Sequence, residues 1–211
     1  MTTRMAQVER RELCDSALQV GAEEPTLCGE WTVKELVVHL LLRERSPAAV
    51  GIAVAPLAKV TDLEMARMGR RDFAVLVERL RTGPPRWSPY AVPRLDTMLN
   101  TLEFFVHHED IRRAQPAWVP RDLDADAQKL IWAMMRKAGK PLVRNAKVGV
   151  TLENSTTGSR AVLKDASEPV VVSGLPSEVA LFTYGRQQQA RVELSGPDEA
   201  IAALTGSSLG F

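Results

Sequence analysis

The sequence predicts a mainly α-helical protein that ends in a small α+β domain. The prediction rests on helical spacing of apolar residues in the first two thirds of the chain and alternating apolar residues in the last third. Composition agrees with it, because 45% of the 211 residues are hydrophobic and 25% are charged, as in ordinary globular proteins. We place a helical bundle at 1–145 and the α+β domain at 146–211.

The first two helices are predicted from spacing and capping. Apolar residues recur at three- and four-residue steps over 7–20, and Gly21 then provides a typical helix end. Thr32 followed by Glu35 is a capping-box signature, in which each residue satisfies a free backbone N–H of the first turn. The second helix is therefore predicted over 32–45.

Three more helices complete the predicted bundle. One covers 62–81, a long one covers 94–115 before Pro116, and a further one covers 124–145. A proline-rich link lies before the long helix. Three residues that flank this helix are candidates for substrate contact or for loop packing: Trp87, Tyr90 and Arg94.

The last third reads as short strands that alternate with short helices. Apolar alternation and closing glycines predict the strands, and a proline at the first helical position marks a helix start. The strands are predicted at 147–153, 160–164, 170–174 and 191–196, and the helices at 176–185 and 197–204.

Charge and hydropathy exclude several classes of function. A net charge of +1 and only 5% aromatic residues leave no bulk attraction or stacking platform for nucleic acid. The longest apolar stretch, at 47–58, falls short of the roughly 20 residues that a membrane-spanning helix needs. The N-terminus lacks the apolar core of a signal peptide, and two cysteines make no disulfide framework. The sequence thus predicts a cytoplasmic protein without nucleic-acid or membrane partners.

All three histidines of the chain lie in two predicted helices. Glu103 and His107 are four residues apart, so they share one helix face. His108 points about 100° away from His107. His39 lies among apolar residues of the second helix, which turns it partly toward the interior. Facing helices of a bundle build metal sites from this spacing.

Two imidazoles and one carboxylate, from His39, Glu103 and His107, form a recognised ligand set. Zinc enzymes use it with water in the open position, and non-haem iron enzymes use it as a facial triad. Asp110 or Glu109 is a candidate to orient a ligating imidazole.

Simpler interpretations accompany these assignments. A Glu and a His four residues apart often form a surface pair, and a histidine on an apolar helix, such as His39, is often a hydrogen-bonded core residue. His108 is expected to be exposed or to lie outside the ligand set. Cys14 and Cys28 read as structural thiols, although Cys28 is close enough in sequence to the His39 helix to approach the site. Arg43 reads as part of a solvated face.

Three segments, taken in order, resemble the mycothiol-dependent maleylpyruvate isomerase family, which belongs to the DinB-like metal-binding four-helix bundles. Residues 28–40 resemble its GW-T/S-V-x-D/E-L-x-x-H-L segment, and Glu103-x-x-x-His107-x-x-Asp110 resembles its second metal motif. Residues 172–186 resemble its C-terminal G-x-P-x-E-L-x-L-x-x-x-G-R segment. The chain is most similar to an actinobacterial subgroup described only as metal-binding proteins.

The resemblance implies a divalent metal, usually zinc, held by His39, Glu103 and His107, with Ni²⁺ and Fe²⁺ as alternatives. It implies an open coordination position for water or a thiol, and mycothiol or another low-molecular-weight thiol as cosubstrate. It also implies that Arg186 contacts an anionic substrate. The function implied is a thiol-dependent isomerase or transferase that acts on a small electrophilic substrate.

Other functions remain open from the sequence. The same residues suit a non-catalytic metal-binding or regulatory module, or a hydrolase with water as nucleophile, and the Glu-His pair is also compatible with a plain helical scaffold. DinB-like proteins are often homodimers, but this chain has no sustained heptad pattern that would predict one.

Overall fold

The structure, a computed structural model, describes residues 2–46, 58–85, 88 and 93–210. The chain divides into two compact units, Met1–Pro120 and Arg121–Phe211. Trp87 and Tyr90 lie outside the described residues, as does the side chain of Arg94, so their proposed contacts stay predictions.

The first unit is helical throughout its described elements. Its helices are α1 (Thr2–Val20), α2 (Val33–Arg45), α3 (Ala58–Gly69), α4 (Phe73–Arg81) and α5 (Pro93–Arg113). Their apolar faces share one core that takes leucine and valine side chains from α1, α2 and α4 and Phe104 and Ile111 from α5. Burial of this continuous apolar surface is the main force that holds the helices together.

The predicted ends of the first two helices are confirmed. Gly21, with a φ of 111°, directly follows α1, and its N–H bonds to a carbonyl of the last turn. At α2, the backbone N–H of Thr32 donates to the Glu35 carboxylate at 2.8 Å, and the Glu35 N–H donates to the Thr32 hydroxyl at 3.3 Å. The capping box therefore fixes where the helix that carries His39 begins.

The single helix predicted over 62–81 is wrong, because the structure has two helices there. The first ends at Gly69, and the second begins after Asp72, whose side chain accepts a hydrogen bond from the Val75 N–H at 3.2 Å. Glycine is a poor helix former and aspartate is a good N-cap, so the break follows from local propensity. The apolar spacing on both sides obscured this signal.

A buried ion pair ties α1 to α2 inside the first unit. Arg10 donates through both terminal nitrogens to the Glu44 carboxylate, at 2.6 and 2.5 Å, and the two side chains are 6% and 1% exposed. The Arg10 guanidinium also lies over the Phe104 ring, 4.4 Å from its centroid.

Cys14 is fully buried, as expected for a structural thiol. Burial raises its pKa from 9.0 to about 12. Since the folded state keeps the proton, the stabilisation by the neutral thiol is complete below pH 9 and is lost as the pH rises through about 12.

We therefore expect iodoacetamide at pH 8 to leave Cys14 unmodified in the native protein and to alkylate it in urea. Peptide mass spectrometry measures this directly, with the half-buried Cys28 as internal comparison. Rapid native modification of Cys14 would show that the first unit opens around α1.

The second unit is built around a four-stranded mixed sheet. Its elements are α6 (Ala125–Ala138), a 3₁₀ turn (Lys140–Val143), β1 (Val150–Asn154), β2 (Arg160–Lys164), β3 (Val170–Gly174), α7 (Pro176–Thr183), β4 (Glu193–Ser195) and α8 (Asp198–Thr205). The strand order is β2-β1-β3-β4. β1 pairs antiparallel with β2 and parallel with β3, and β4 runs antiparallel to β3.

The core of the second unit lies between the sheet and helix α7. Every residue of α7 is buried, and the strands contribute Val150, Leu152, Val170 and Val172. The four strands and two helices predicted for the last third are all present, although the first strand begins at Val150 and the fourth covers only Glu193–Ser195. The helix predicted over 124–145 ends at Ala138 instead, because Pro141 lies in the following 3₁₀ turn.

The division into compact units places α6 with the sheet, whereas the sequence-based boundary at 145/146 placed it with the bundle. The assignment of two functional domains stays a prediction. Among the described residues, the chain is mostly helical with eight α-helices and one small sheet, as predicted. None of the described helices is long and apolar enough to cross a membrane.

Candidate metal centre

A line of polar residues runs along one face of α5 and forms the framework of the site. These residues are spaced three, four and three positions apart, which keeps them on one side of a helix. We call this set the polar stripe: Asn100, Glu103, His107 and Asp110. Two of its members, Asn100 and Asp110, are completely buried.

The stripe meets His39 of α2 at its centre. Oε1 of Glu103 lies 3.6 Å from Nε2 of His39 and 3.3 Å from Nε2 of His107. The two imidazole rings are 5.5 Å apart and nearly perpendicular. The structure thus brings the three predicted metal ligands together, with one ligand atom from each within 4.8 Å of the others.

These separations suit a tetrahedral metal. Zinc bonds to nitrogen and oxygen are about 2.0–2.1 Å long, so two ligand atoms on one tetrahedron are roughly 3.3 Å apart. The Glu103 oxygen meets this spacing toward both imidazoles without rearrangement of the helices. A donor set of two imidazole nitrogens and one carboxylate also matches the chemistry of zinc and non-haem iron sites.

Electrostatics favour an ionised carboxylate at the centre of the cluster. Burial alone would raise the pKa of Glu103, but hydrogen bonds from His107 and His39 outweigh it and hold that pKa well below its usual range. Burial lowers the pKa of His39, which favours a neutral imidazole. Burial would lower the pKa of His107, but hydrogen bonds with Asp110, Cys28 and Glu103 outweigh it and raise that pKa well above its usual range. A metal ion that binds His107 would therefore have to displace a proton.

Asp110 holds the far side of the His107 ring. Its Oδ2 lies 2.9 Å from Nδ1 of His107 and accepts a hydrogen bond from the Cys28 thiol at 3.0 Å. Of the two candidates for orienting an imidazole, the structure selects Asp110, because Glu109 instead pairs with Arg112 and Arg113, at 3.0 and 2.5 Å. This arrangement directs Nε2 of His107 toward Glu103 and fixes the ring.

Arg43 and Trp31 also belong to the surroundings of the cluster. Nε of Arg43 lies 3.6 Å from Oε1 of Glu103, and its terminal nitrogen donates to Asn100 at 2.7 Å. The expectation that Arg43 is on a solvated face is therefore wrong. The Trp31 ring packs 5.0 Å from the His39 ring, so it anchors the core and also borders the site. Sequence spacing gave no signal for Arg43, because its partners are on another helix.

His108 does not join this cluster, and it is not exposed. It is 2% exposed, and its ring lies between Glu9 and Ser16 of α1. The 100° turn between consecutive residues, which separates it from His107, points it into the α1–α5 interface instead of toward solvent.

Arg186, the predicted substrate contact, belongs to the second unit. It follows α7, and its guanidinium donates to the Tyr184 carbonyl at 2.5 Å. Its backbone N–H bonds to the Leu181 carbonyl at 3.0 Å, which fixes the chain just after the helix. Its role toward a substrate stays a prediction.

Replacement of Asp110 by Asn is expected to weaken metal binding about 10- to 100-fold, the usual effect of losing an outer-sphere partner of a ligating histidine. The amide keeps the volume of the carboxylate but loses its charge toward the His107 ring. Competition with a chromophoric chelator measures the affinity, and Asp126→Asn, at an exposed position of α6, is the matched control. Equal affinities for the two variants would show that Asp110 has no part in the site.

Comparison with known proteins supports the fold. Neither a protein-family model nor a curated protein matches the chain. Among solved structures, the chain is similar to the mycothiol-dependent maleylpyruvate isomerase, with a TM-score of 0.63, 16% identity, and coverage of 92% of this chain and 91% of that one. A variant of that enzyme with one histidine replaced by alanine gives a TM-score of 0.64 at the same identity and coverage. The likeness supports the expected mainly helical fold with a small mixed sheet, and at this identity it shows the fold alone.

Proposed function

We propose that this protein binds one divalent metal ion, most simply Zn²⁺, through His39, Glu103 and His107, and uses it in a thiol-dependent isomerase or transferase reaction. The observation that carries the proposal is the close approach of these three side chains within a fold shared with a mycothiol-dependent isomerase. Mycothiol, or another low-molecular-weight thiol, is the proposed cosubstrate, and a small electrophile is the proposed substrate. We also propose that the helical part of the chain is a DinB-like bundle and that the protein belongs to the actinobacterial subgroup of metal-binding proteins.

The residues around the cluster divide the work of holding the ion. His39 would supply a neutral donor, His107 would supply a second one on release of its proton, and Glu103 would supply the negative charge that offsets part of the ion's charge. Asp110 keeps Nδ1 of His107 occupied, so that Nε2 is the donor toward the cluster. Trp31 covers one side of the His39 ring and limits access of water there. When bound, the ion would act as a Lewis acid that lowers the pKa of a thiol and makes a thiolate available at neutral pH.

Arg186 is proposed to bind a carboxylate of the substrate. A guanidinium can donate two parallel hydrogen bonds to a carboxylate, which fixes both position and orientation. Arg186→Lys keeps the charge and loses this geometry. We expect the lysine variant to raise KM for an anionic substrate while metal content is unchanged, and an unchanged KM would remove Arg186 from the proposal.

Elemental analysis of the purified protein tests the metal site first. We expect the wild type to bind one more divalent ion per chain than a His39→Ala, Glu103→Ala, His107→Ala variant that keeps its helical circular dichroism. A wild-type protein that stays free of metal after reconstitution would overturn the proposal and leave a helical scaffold.

Turnover assays then test the reaction class. The metal-loaded protein is mixed with electrophilic, unsaturated carboxylic acids in the presence and absence of a low-molecular-weight thiol. Turnover that requires the thiol supports the proposal. Turnover with water alone would identify a hydrolase, and a tightly bound ion with no turnover would identify a non-catalytic metal-binding module.

A further inference from the structure

A second group of potential metal ligands lies between α1 and α5, apart from the site described above. It consists of Glu9 and Glu12 on α1 and His108 on α5, and one ligand atom from each lies within 4.8 Å of the others. Glu9 and His108 are each 2% exposed, whereas Glu12 is exposed. The group thus has a buried base and an opening to solvent through which an ion could enter.

The geometry of the buried half fits a metal ion. Nδ1 of His108 lies 3.1 Å from Oε2 of Glu9, close to the roughly 3.3 Å that separates two ligands on a zinc tetrahedron. On the other side of the ring, Nε2 lies 2.9 Å from the Ser16 hydroxyl. Ser16 can therefore hold the outer nitrogen of His108, as outer-sphere groups do for ligating histidines.

The tautomer of His108 determines whether a proton or a metal ion can lie between Nδ1 of the ring and the Glu9 carboxylate. If Nε2–H donates to Ser16, a lone pair on Nδ1 faces the Glu9 oxygen, and a cation between them satisfies both. If Nδ1–H donates to Glu9 instead, the pair is an ordinary buried hydrogen bond. The exposed Glu12, three residues from Glu9 on the same helix face, adds a second carboxylate that a simple hydrogen bond does not require.

We propose that Glu9, Glu12 and His108 form a second binding site for a divalent first-row metal ion such as Zn²⁺. Two carboxylates neutralise the ion, and the mixed nitrogen and oxygen donors suit this class of metal. Because the three ligands come from two helices, the bound ion joins α1 to α5 and stabilises the first unit. The site is independent of the proposed catalytic site, since His107 and His108 point about 100° apart on α5.

Equilibrium dialysis of the metal-stripped full chain against Zn²⁺, followed by elemental analysis, tests the proposal. Glu12→Gln is the test variant because Glu12 is exposed and its loss spares the core. Asp15→Asn, an exposed carboxylate on the same helix that pairs with Arg81 at 2.8 Å, is the matched control. Glu103→Gln removes a ligand of the proposed catalytic metal site. The loss of each ion can therefore be assigned to one of the two sites.

We expect two Zn²⁺ ions per chain in the wild type and in Asp15→Asn. In Glu12→Gln, the second ion should bind at least tenfold more weakly. In Glu103→Gln, one ion should remain, and it should be lost again when Glu12→Gln is added. Zn²⁺ should also raise the unfolding temperature of Glu103→Gln, and less so that of the double variant.

Stoichiometry that does not respond to Glu12→Gln in the Glu103→Gln background would overturn the second site. A wild-type protein with one ion that is lost in Glu103→Gln would do the same while leaving the proposed function intact. Conversely, one ion that is lost only in Glu12→Gln would support the second site and overturn the first.

Discussion

Replacement of Glu44 by Ala is expected to lower the free energy of unfolding by about 3–5 kcal/mol, the cost of removing one partner of a buried ion pair. Arg10 would keep its charge in an interior where its side chain is only 6% exposed. It would retain the Leu80 carbonyl at 3.2 Å and the Phe104 ring, but neither replaces a carboxylate. Since domains of this kind are stabilised by about 5–15 kcal/mol, this loss is a large fraction of the total stability.

Urea denaturation followed by circular dichroism measures this loss, and the chain offers a close control. Glu64 also accepts two hydrogen bonds from one arginine, at 2.7 and 2.6 Å, here from Nε and one terminal nitrogen of Arg67, which is 63% exposed. Glu64→Ala should cost about 1 kcal/mol or less. Similar losses for the two variants would show that burial does not govern the Arg10–Glu44 pair.

A double variant separates the penalty of an unpaired charge from the value of the pair. Arg10→Met combined with Glu44→Leu removes both charges and keeps the apolar volume. We expect it to be more stable than Glu44→Ala by several kcal/mol, because well-packed apolar residues often replace a buried ion pair without loss. A double variant as unstable as Glu44→Ala would instead identify the pair itself as the source of stability.

The second large effect is expected at the candidate metal centre. Glu103→Gln keeps the shape of the side chain but removes the negative charge shared by His39 and His107. We expect metal affinity to fall by at least the 10- to 100-fold typical of outer-sphere changes, because Glu103 is itself a proposed ligand. Thiol-dependent turnover should fall with metal occupancy.

Chelator competition at constant pH gives the affinity, and Glu24→Gln, at an exposed position before α2, is the matched control. The urea midpoint of metal-free Glu103→Gln should fall below that of the metal-free wild type, because the hydrogen bonds that His39 and His107 make with the carboxylate stabilise the fold. Native-like circular dichroism without urea would show that the variant still folds, which separates ligand loss from unfolding. Full metal affinity in Glu103→Gln would remove this residue from the site.

The sequence was most informative where the signal is local. The spacing of Glu103 and His107 placed both on one face of α5, and the Thr32–Glu35 capping box fixed the start of α2. Alternating apolar residues also identified the strands of the second unit. Each of these patterns depends on residues no more than a few positions apart, which is the range over which helices and strands repeat.

What the sequence could not predict depends on contacts between distant residues. Arg43 reaches Asn100 across 57 positions, and His108 reaches Glu9 across 99. Neither spacing has a period, so both residues read as surface groups. The helix break after Gly69 has a different cause. Its glycine and N-cap signals are local, but apolar residues at helical spacing continue on both sides and mask them.

The polar stripe of α5 also sets the axial register of the helices. Apolar side chains can interdigitate in several alignments, because burial of apolar surface has no direction. Directional bonds lack this freedom: a slide of one turn, about 5.4 Å, would separate Asn100 from Arg43 and Glu103 from His39 together. Buried polar groups left without partners make such a slip costly. The residues that surround the candidate metal centre therefore fix the alignment of α2 with α5 along the helix axis, whether or not an ion is bound.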